Sequence, residues 1–131
     1  MAPDPAHDLV TPHPSPAPTG YCAGMRDRPY LFFPDLTAEA SIPRRGIHSQ
    51  TLSDEDGVEL VLFALAAGER LSEHTAARPA IVHVLSGEGD LTVAGDEHPL
   101  VPGAWLRMAV RTPHALVART DLVFALYLLP A

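Results

Sequence analysis

From Val58 to Pro130 the chain is written as short apolar runs, each cut by a turn: VELVLFALAAG, AIVHVLSGEG, DLTVAGDEHPLV, PGAWLRMAV, TPHALVAR and DLVFALYLLP. Runs rich in β-branched and aromatic residues, bounded by Gly, Pro, Asp and Ser at intervals of about 8–12 residues, are the pattern of short antiparallel strands. No stretch of this core carries the 3.6-residue repeat of an amphipathic helix. VELVLFALAAG is long enough for a strand or a helix; the glycines at both its ends and its strand-like neighbours favour the strand. The chain is therefore read as all-β, an antiparallel sandwich or barrel.

At 131 residues there is room for one domain with a core that needs no cross-links. The formal charge is −7, and nine arginines are the only strong cations because lysine is absent. A nucleic-acid surface needs a concentrated basic patch, which this balance excludes. One cysteine, Cys22, rules out an intrachain disulfide, and nothing calls for an oxidising compartment. The opening MAPDPAHDLV lacks the basic and apolar regions of a secretory signal, and no apolar run reaches the roughly 20 residues of a membrane-spanning helix. A cytoplasmic protein without a membrane partner is expected.

Residues 1–20 hold Pro3, Pro5, Pro12, Pro14, Pro16 and Pro18. Proline removes backbone donors and favours extended neighbours, so this stretch reads as a flexible arm and residues 21–131 as the domain. His7 and His13 lie on the arm. YLFF (Tyr30–Phe33), stopped by Pro34, reads as an edge strand or as a segment packed across a sheet face, since its aromatics need cover. Arg44 and Arg45 read as a solvated turn, and His48 as a hydrogen-bonded structural residue on the strand IHSQTL.

Two stretches carry the candidate chemistry. The first runs from Gly68 through five residues to His74, then to Ala76, Ala80 and Gly87. The second runs from Gly103 to Ala109, Arg111, His114 and Ala118. In spacing, the first resembles the cupin motif G(x)5HxH(x)3–4E(x)6G and the second the cupin motif G(x)5PxG(x)2H(x)3N. The resemblance covers about residues 47–129. It implies a cupin double-stranded β-helix, a jelly-roll barrel, with an irregular proline-rich N-terminal arm. Several side chains depart from the pattern: Ala76 stands for the second histidine, Ala80 for the glutamate, Ala109 and Arg111 for proline and glycine, and Ala118 for asparagine.

In cupins the two first-motif histidines, the glutamate and the second-motif histidine bind a divalent metal, commonly Fe, Mn, Ni or Zn. Only His74 and His114 stand at those positions, so the resemblance implies at most a weakly held metal, with half or more of its shell left to water or substrate. Strand alternation tests for a further donor. With Ala80 inside, Val82 is inside and His83 outside; a bulge that turned His83 inward would make it a third ligand. Glu73 points away from His74 by the same rule, and His98, in DEHP, faces solvent.

The same alternation puts Leu116 and Ala118 inside with His114, and the cupin arrangement puts Leu106 and Met108 inside and Trp105 and Arg107 outside. The expected pocket is thus His74, Ala76, Ala80, Val82, Leu106, Met108, His114 and Ala118, mostly apolar with two titratable groups, which is the make-up of a small-molecule site. Alanines in place of ligands widen it for a bulkier molecule. Arg111, at the rim, is either a solvated turn residue or a bidentate partner for a carboxylate.

Three functions are compatible with these residues. One is a metal-dependent enzyme of the oxygenase, isomerase or lyase type acting on a small organic substrate, or its metal-free variant with histidine as general acid or base. Another is a barrel that binds a small molecule without chemistry. The last is an interaction barrel. Cupins often dimerise through exposed sheet edges or faces, so a homodimer is expected.

Overall fold

The computed structural model describes residues 29–131; the proline-rich arm, His7, His13 and Cys22 lie outside them. Nine strands follow in order: β1 (Ile47–Glu55), β2 (Val58–Leu65), β3 (Arg70–His74), β4 (Ala80–Ser86), β5 (Gly89–Val93), β6 (Asp96–Leu100), β7 (Trp105–Met108), β8 (His114–Ala118) and β9 (Leu122–Leu128). They form two antiparallel sheets, β1-β2-β9-β4-β7 and β3-β8-β5-β6. The chain crosses repeatedly between the sheets, as a jelly roll does. The run Val58–Leu65 is a strand, as its flanking glycines require. DEHP is strand too: the turn before it is Ala94–Gly95, and Pro99 is accommodated because β6 is an edge. Among the described residues no helix is long and apolar enough to cross a membrane.

The tight turns explain two of the glycines. Asp56 and Gly57 have φ of 57° and 81°, and Ala94 and Gly95 have 50° and 86°. Two successive left-handed residues give the hairpin whose twist matches that of its strands.

Alternation then sorts the side chains. On β4, Ala80, Val82 and Val84 are buried between the sheets, together with Leu91, Val93, Leu100, Met108, Leu116, Ala118, Leu122 and Phe124. The outer face of the first sheet is apolar as well: Leu52, Leu62, Ala64, Val123 and Ala125 form a second cluster. Bare, that face would expose a large hydrophobic patch. The segment after YLF covers it, with Phe33, Leu36 and Ala40 packed on the cluster. A 3₁₀ turn at Leu36–Glu39, capped by the Asp35 side chain, holds the segment there, and Gln50 Nε2 donates to the Glu39 carbonyl at 2.7 Å. YLFF is therefore a sheet-covering segment and not an edge strand. Tyr30 and Phe32 point away, 57% and 68% exposed.

Arg78 closes the end of the barrel where the β1–β2 hairpin meets the end of β9. Its guanidinium donates to the carbonyls of Leu129 (3.0 Å), Gly57 (2.8 Å) and Leu128 (3.1 Å) and pairs with Glu59 at 3.4 Å. A planar cation with forked donors suits this cluster of carbonyls.

Candidate functional site

His74 ends β3 and His114 begins β8, and they are direct cross-strand partners in the second sheet. Reaching that arrangement takes an irregularity. Leu71 and His74 are three residues apart, so regular pleating would send them to opposite faces. The β3–β8 register shifts between Leu71 and His74, and with that shift both residues border the same cavity, as bulges re-aim side chains beside functional sites. The imidazole centroids lie 4.2 Å apart with the rings tilted by 58°.

Each ring is held the same way. His74 Nδ1 lies 2.8 Å from the Ser72 carbonyl oxygen and His114 Nδ1 lies 2.8 Å from that of Thr112. A carbonyl only accepts, so each Nδ1 carries the ring proton and donates it. In the neutral rings both Nε2 atoms are then lone-pair acceptors. Neither has a hydrogen-bond partner among the described residues.

The two rings border a cavity of about 40 Å³. Its first wall comes from the first sheet: Phe63 of β2, Val82 of β4, and Phe124 and Leu126 of β9; Leu71, Leu91 and Leu116 form the facing wall. Phe63 and Phe124 are cross-strand partners stacked in parallel, with centroids 4.9 Å apart and 3° between the rings. His74 is exposed and His114 half-buried, so the polar end of the cavity is its mouth.

Of the residues expected in the pocket, His74, Val82 and His114 line the cavity. Ala80, Met108 and Ala118 are interior, at 2%, 4% and 1% exposure, but belong to the packed core beside it; half-buried Leu106 packs against the same core. Ala76 sits in the loop after β3, where its carbonyl accepts from the Arg111 amide at 2.7 Å. The alanines therefore do not widen the pocket, because Phe63, Phe124, Leu71 and Leu126 fill the space. Those four, Leu91 and Leu116 are absent from the expected lining, although alternation does put Leu116 inside. β2 and β9 are covered on both faces, so their sequences show no alternation from which an inward face could be read.

Arg111 is exposed and does not border the cavity. Its φ of 59° is left-handed, the conformation that explains a glycine at this position of the cupin motif. His83 stands on the outer face of the first sheet, between Ala125 of β9 and the 59%-exposed Trp105 of β7. No bulge turns it inward, since the β4 irregularity falls between Val84 and Ser86. It cannot join His74 and His114 as a third ligand. Glu73 borders an open depression of about 530 Å³ on the outer side of the second sheet, with Arg70, Asp90, Thr92 and Glu97.

Among the described residues no group of three or more His, Cys, Asp or Glu side chains is placed to hold a metal ion. Two imidazole nitrogens supply half of a tetrahedral shell. That donor set does not fit a resident metal; it fits at most a weak site completed from outside the chain.

Comparison with known proteins gives a consistent picture. The model of the cupin domain family matches residues 61–129. A Streptococcus pyogenes protein of unknown function superposes with a TM-score of 0.69 at 25% identity, over 78% of this chain and 90% of that one. A cupin superfamily protein from Desulfitobacterium hafniense gives a TM-score of 0.69 at 24% identity, over 73% and 88%. A variant of salicylate 1,2-dioxygenase from Pseudoaminobacter salicylatoxidans gives 0.59 at 14% identity, over 70% of this chain and 28% of that enzyme. No curated protein matches. The two-sheet barrel, the glycine-spaced turns and the matched family model together establish that this chain belongs to the cupin superfamily.

Proposed function

We propose that this cupin binds a small organic molecule, with its apolar part in the cavity and its polar group on His74 and His114. The observation that carries the reading is that both Nδ1 atoms are engaged by backbone carbonyls, which leaves both Nε2 atoms without a partner among the described residues, on two rings that border an apolar cavity. Recognition sites combine such walls with a few oriented polar groups. The backbone bonds fix the orientation of the rings before a ligand arrives, so little ordering cost falls on binding.

The test is an NMR titration of tag-free, chelator-treated protein with a fragment set, following the methyls of Leu91 and Leu116 and the ring of His114. Some members should move all three together. His114→Ala should weaken them about tenfold or more, since a hydrogen bond whose partner is left buried is worth about 1–3 kcal/mol. No coordinated shift from any fragment, or equal affinity in His114→Ala, would contradict the reading.

A metal held by the two Nε2 atoms is the second reading. What favours it is the same pair of Nδ1–carbonyl bonds, because a metal-bound histidine commonly donates its other N–H to a carbonyl. Fe, Mn, Ni and Zn titrations separate the two. Saturable binding of one metal per chain in the titration, lost in His74→Ala, would favour the metal; no binding above background favours the organic ligand.

A further inference from the structure

We infer that β7 is a self-recognition edge: two copies of this chain join through it about a two-fold axis at Leu106, each laying its Arg107 guanidinium on the indole of the partner's Trp105. The inference does not depend on the histidine pair.

Four strands end a sheet: β1 and β7 in the first, β3 and β6 in the second. A bare edge invites pairing with another chain, and proteins guard against it with charges, proline and bulges. Three of the four are guarded. β1 is broken by a register shift between Thr51 and Ser53 and ends in Asp54 and Glu55. β3 is irregular between Leu71 and His74 and carries Arg70 and Glu73. β6 carries Asp96, Glu97 and Pro99. β7 has no proline, no acidic residue and an unbroken register. Apolar surface gathers here as well: Trp105 is 59% exposed, and Val101 and Val110, just beyond the two ends of the strand, are 46% and 40% exposed.

The backbone decides which groups meet. Val82 pairs with Leu106 and His83 with Trp105, and the Val84 amide donates to the Ala104 carbonyl at 2.9 Å. Hydrogen-bonding residues alternate along an antiparallel ladder. Ala104, Leu106 and Met108 therefore turn their amides and carbonyls to β4, and Trp105 and Arg107 turn theirs to the open edge. No strand among the described residues pairs with that edge. A two-fold axis at Leu106 sets Trp105 opposite the partner's Arg107 and satisfies every one of these edge groups in both copies. An axis at Arg107 would set two guanidiniums against each other, and one at Trp105 would leave Arg107 opposite the partner's Gly103.

The side chains fit the same axis. Buried Met108 and half-buried Leu106 pack inward, so alternation puts exposed Trp105 and Arg107 together on the outer face. Each indole then stands beside a guanidinium of the other copy, and directly opposed residues interact, here as a cation on an aromatic face. Arg107 makes no ion pair among the described residues, so it is free to do this. The Val101 end of one strand also comes beside the Val110 end of the other. Every contact occurs twice, as in any two-fold interface.

Trp105 is the only tryptophan of the chain, so its emission reports the contact directly. The test is sedimentation equilibrium and tryptophan fluorescence of the whole, tag-free chain over about 1–500 μM, a range suited to an edge contact smaller than the roughly 1,200 Å² of stable interfaces. Mass should rise from monomer to dimer, and the emission maximum should move to shorter wavelength with the same midpoint. Arg107→Pro removes a donor that faces the open edge and that the fold does not use, so it should be monomeric at the highest concentration. Arg107→Ala, which serves if the proline variant does not fold, should weaken the dimer about tenfold or more. Phe32→Ala, in the segment that covers the first sheet, should leave the dimer unchanged. A monomer at every concentration would overturn the inference, and a shielded tryptophan in that monomer would do so in favour of another part of this chain as the cover. A dimer whose emission does not move, or one lost in Phe32→Ala and kept in both Arg107 variants, would overturn it in favour of a different surface.

Discussion

Replacing Gly87 with alanine is expected to destabilise the fold by about 4 kcal/mol or more. Gly87 lies in the β4–β5 turn with φ of 88°. A Cβ there would overlap the Asp121 carbonyl oxygen and approach Leu122 Cα to 2.8 Å and Asp121 C to 2.9 Å. All three are backbone atoms, so no rotamer change relieves the clash. The backbone cannot simply retreat, because the two turns are tied together: the Glu88 amide donates to Thr120 Oγ1 at 2.9 Å, and the Arg119 amide donates to the Glu88 carbonyl at 2.9 Å. Asp121 in turn accepts from the Ala67 amide at 2.9 Å, so moving it disturbs the β2–β3 turn as well. A left-handed alanine costs about 1–2 kcal/mol by itself, and the overlap brings the total to about 4 kcal/mol or more, at the exceptional end for point substitutions. That corresponds to a fall in Tm of roughly 15 °C or more. Gly68→Ala is the matched control. Its φ is 89°, but a Cβ there would meet nothing within 4 Å, so only the conformational cost applies. Equal Tm values for the two variants would show that the turn contact does not hold the barrel end together.

Phe124→Ala is expected to cost about 3–5 kcal/mol, the range for removing a buried phenyl. Phe124 is 3% exposed, lies on β9 between β2 and β4, and stacks on Phe63. Stacking of this kind adds about 0.5–1.5 kcal/mol beyond burial. Relaxation is limited because hydrogen-bonded strands on both sides fix the backbone of β9, and because the deleted ring borders a cavity already present. The loss would enlarge a void instead of being refilled. Denaturant unfolding should show a lower midpoint with an unchanged slope. A loss below about 1.5 kcal/mol would mean that the inner face of β9 is far more loosely packed than the structure shows.

The barrel was legible because its punctuation was. Turn residues at Gly57, Gly68, Gly87, Gly95 and Gly103 mark where strands end, and the count from Gly68 to His74 and from Gly103 to His114 brings the two histidines to opposing positions. What fills the space between the sheets was harder to read. The motif positions suggested a pocket floored by Ala76 and Ala80, whereas the walls come from Phe63, Phe124 and Leu126 on strands without alternation. The inward turn of His74 depends on a register shift that no single residue signals. Tyr30–Phe33 allowed two placements, and only the outer cluster of Leu62, Ala64, Val123 and Ala125 decides between them, because an uncovered face of that kind demands a lid.

In their neutral form His74 and His114 both hold the ring proton on Nδ1, against the Ser72 and Thr112 carbonyls, and present Nε2 as an acceptor. Long-range ¹H–¹⁵N NMR of the tag-free, chelator-treated protein reads the tautomer of each ring directly. In the neutral state both rings should show a protonated Nδ1 and an unprotonated Nε2, and Ser72 and Thr112 should be seen as the Nδ1 partners. A neutral ring with its proton on Nε2, at either position, would mean that the carbonyls do not hold the pair and that the cavity lacks its two acceptors.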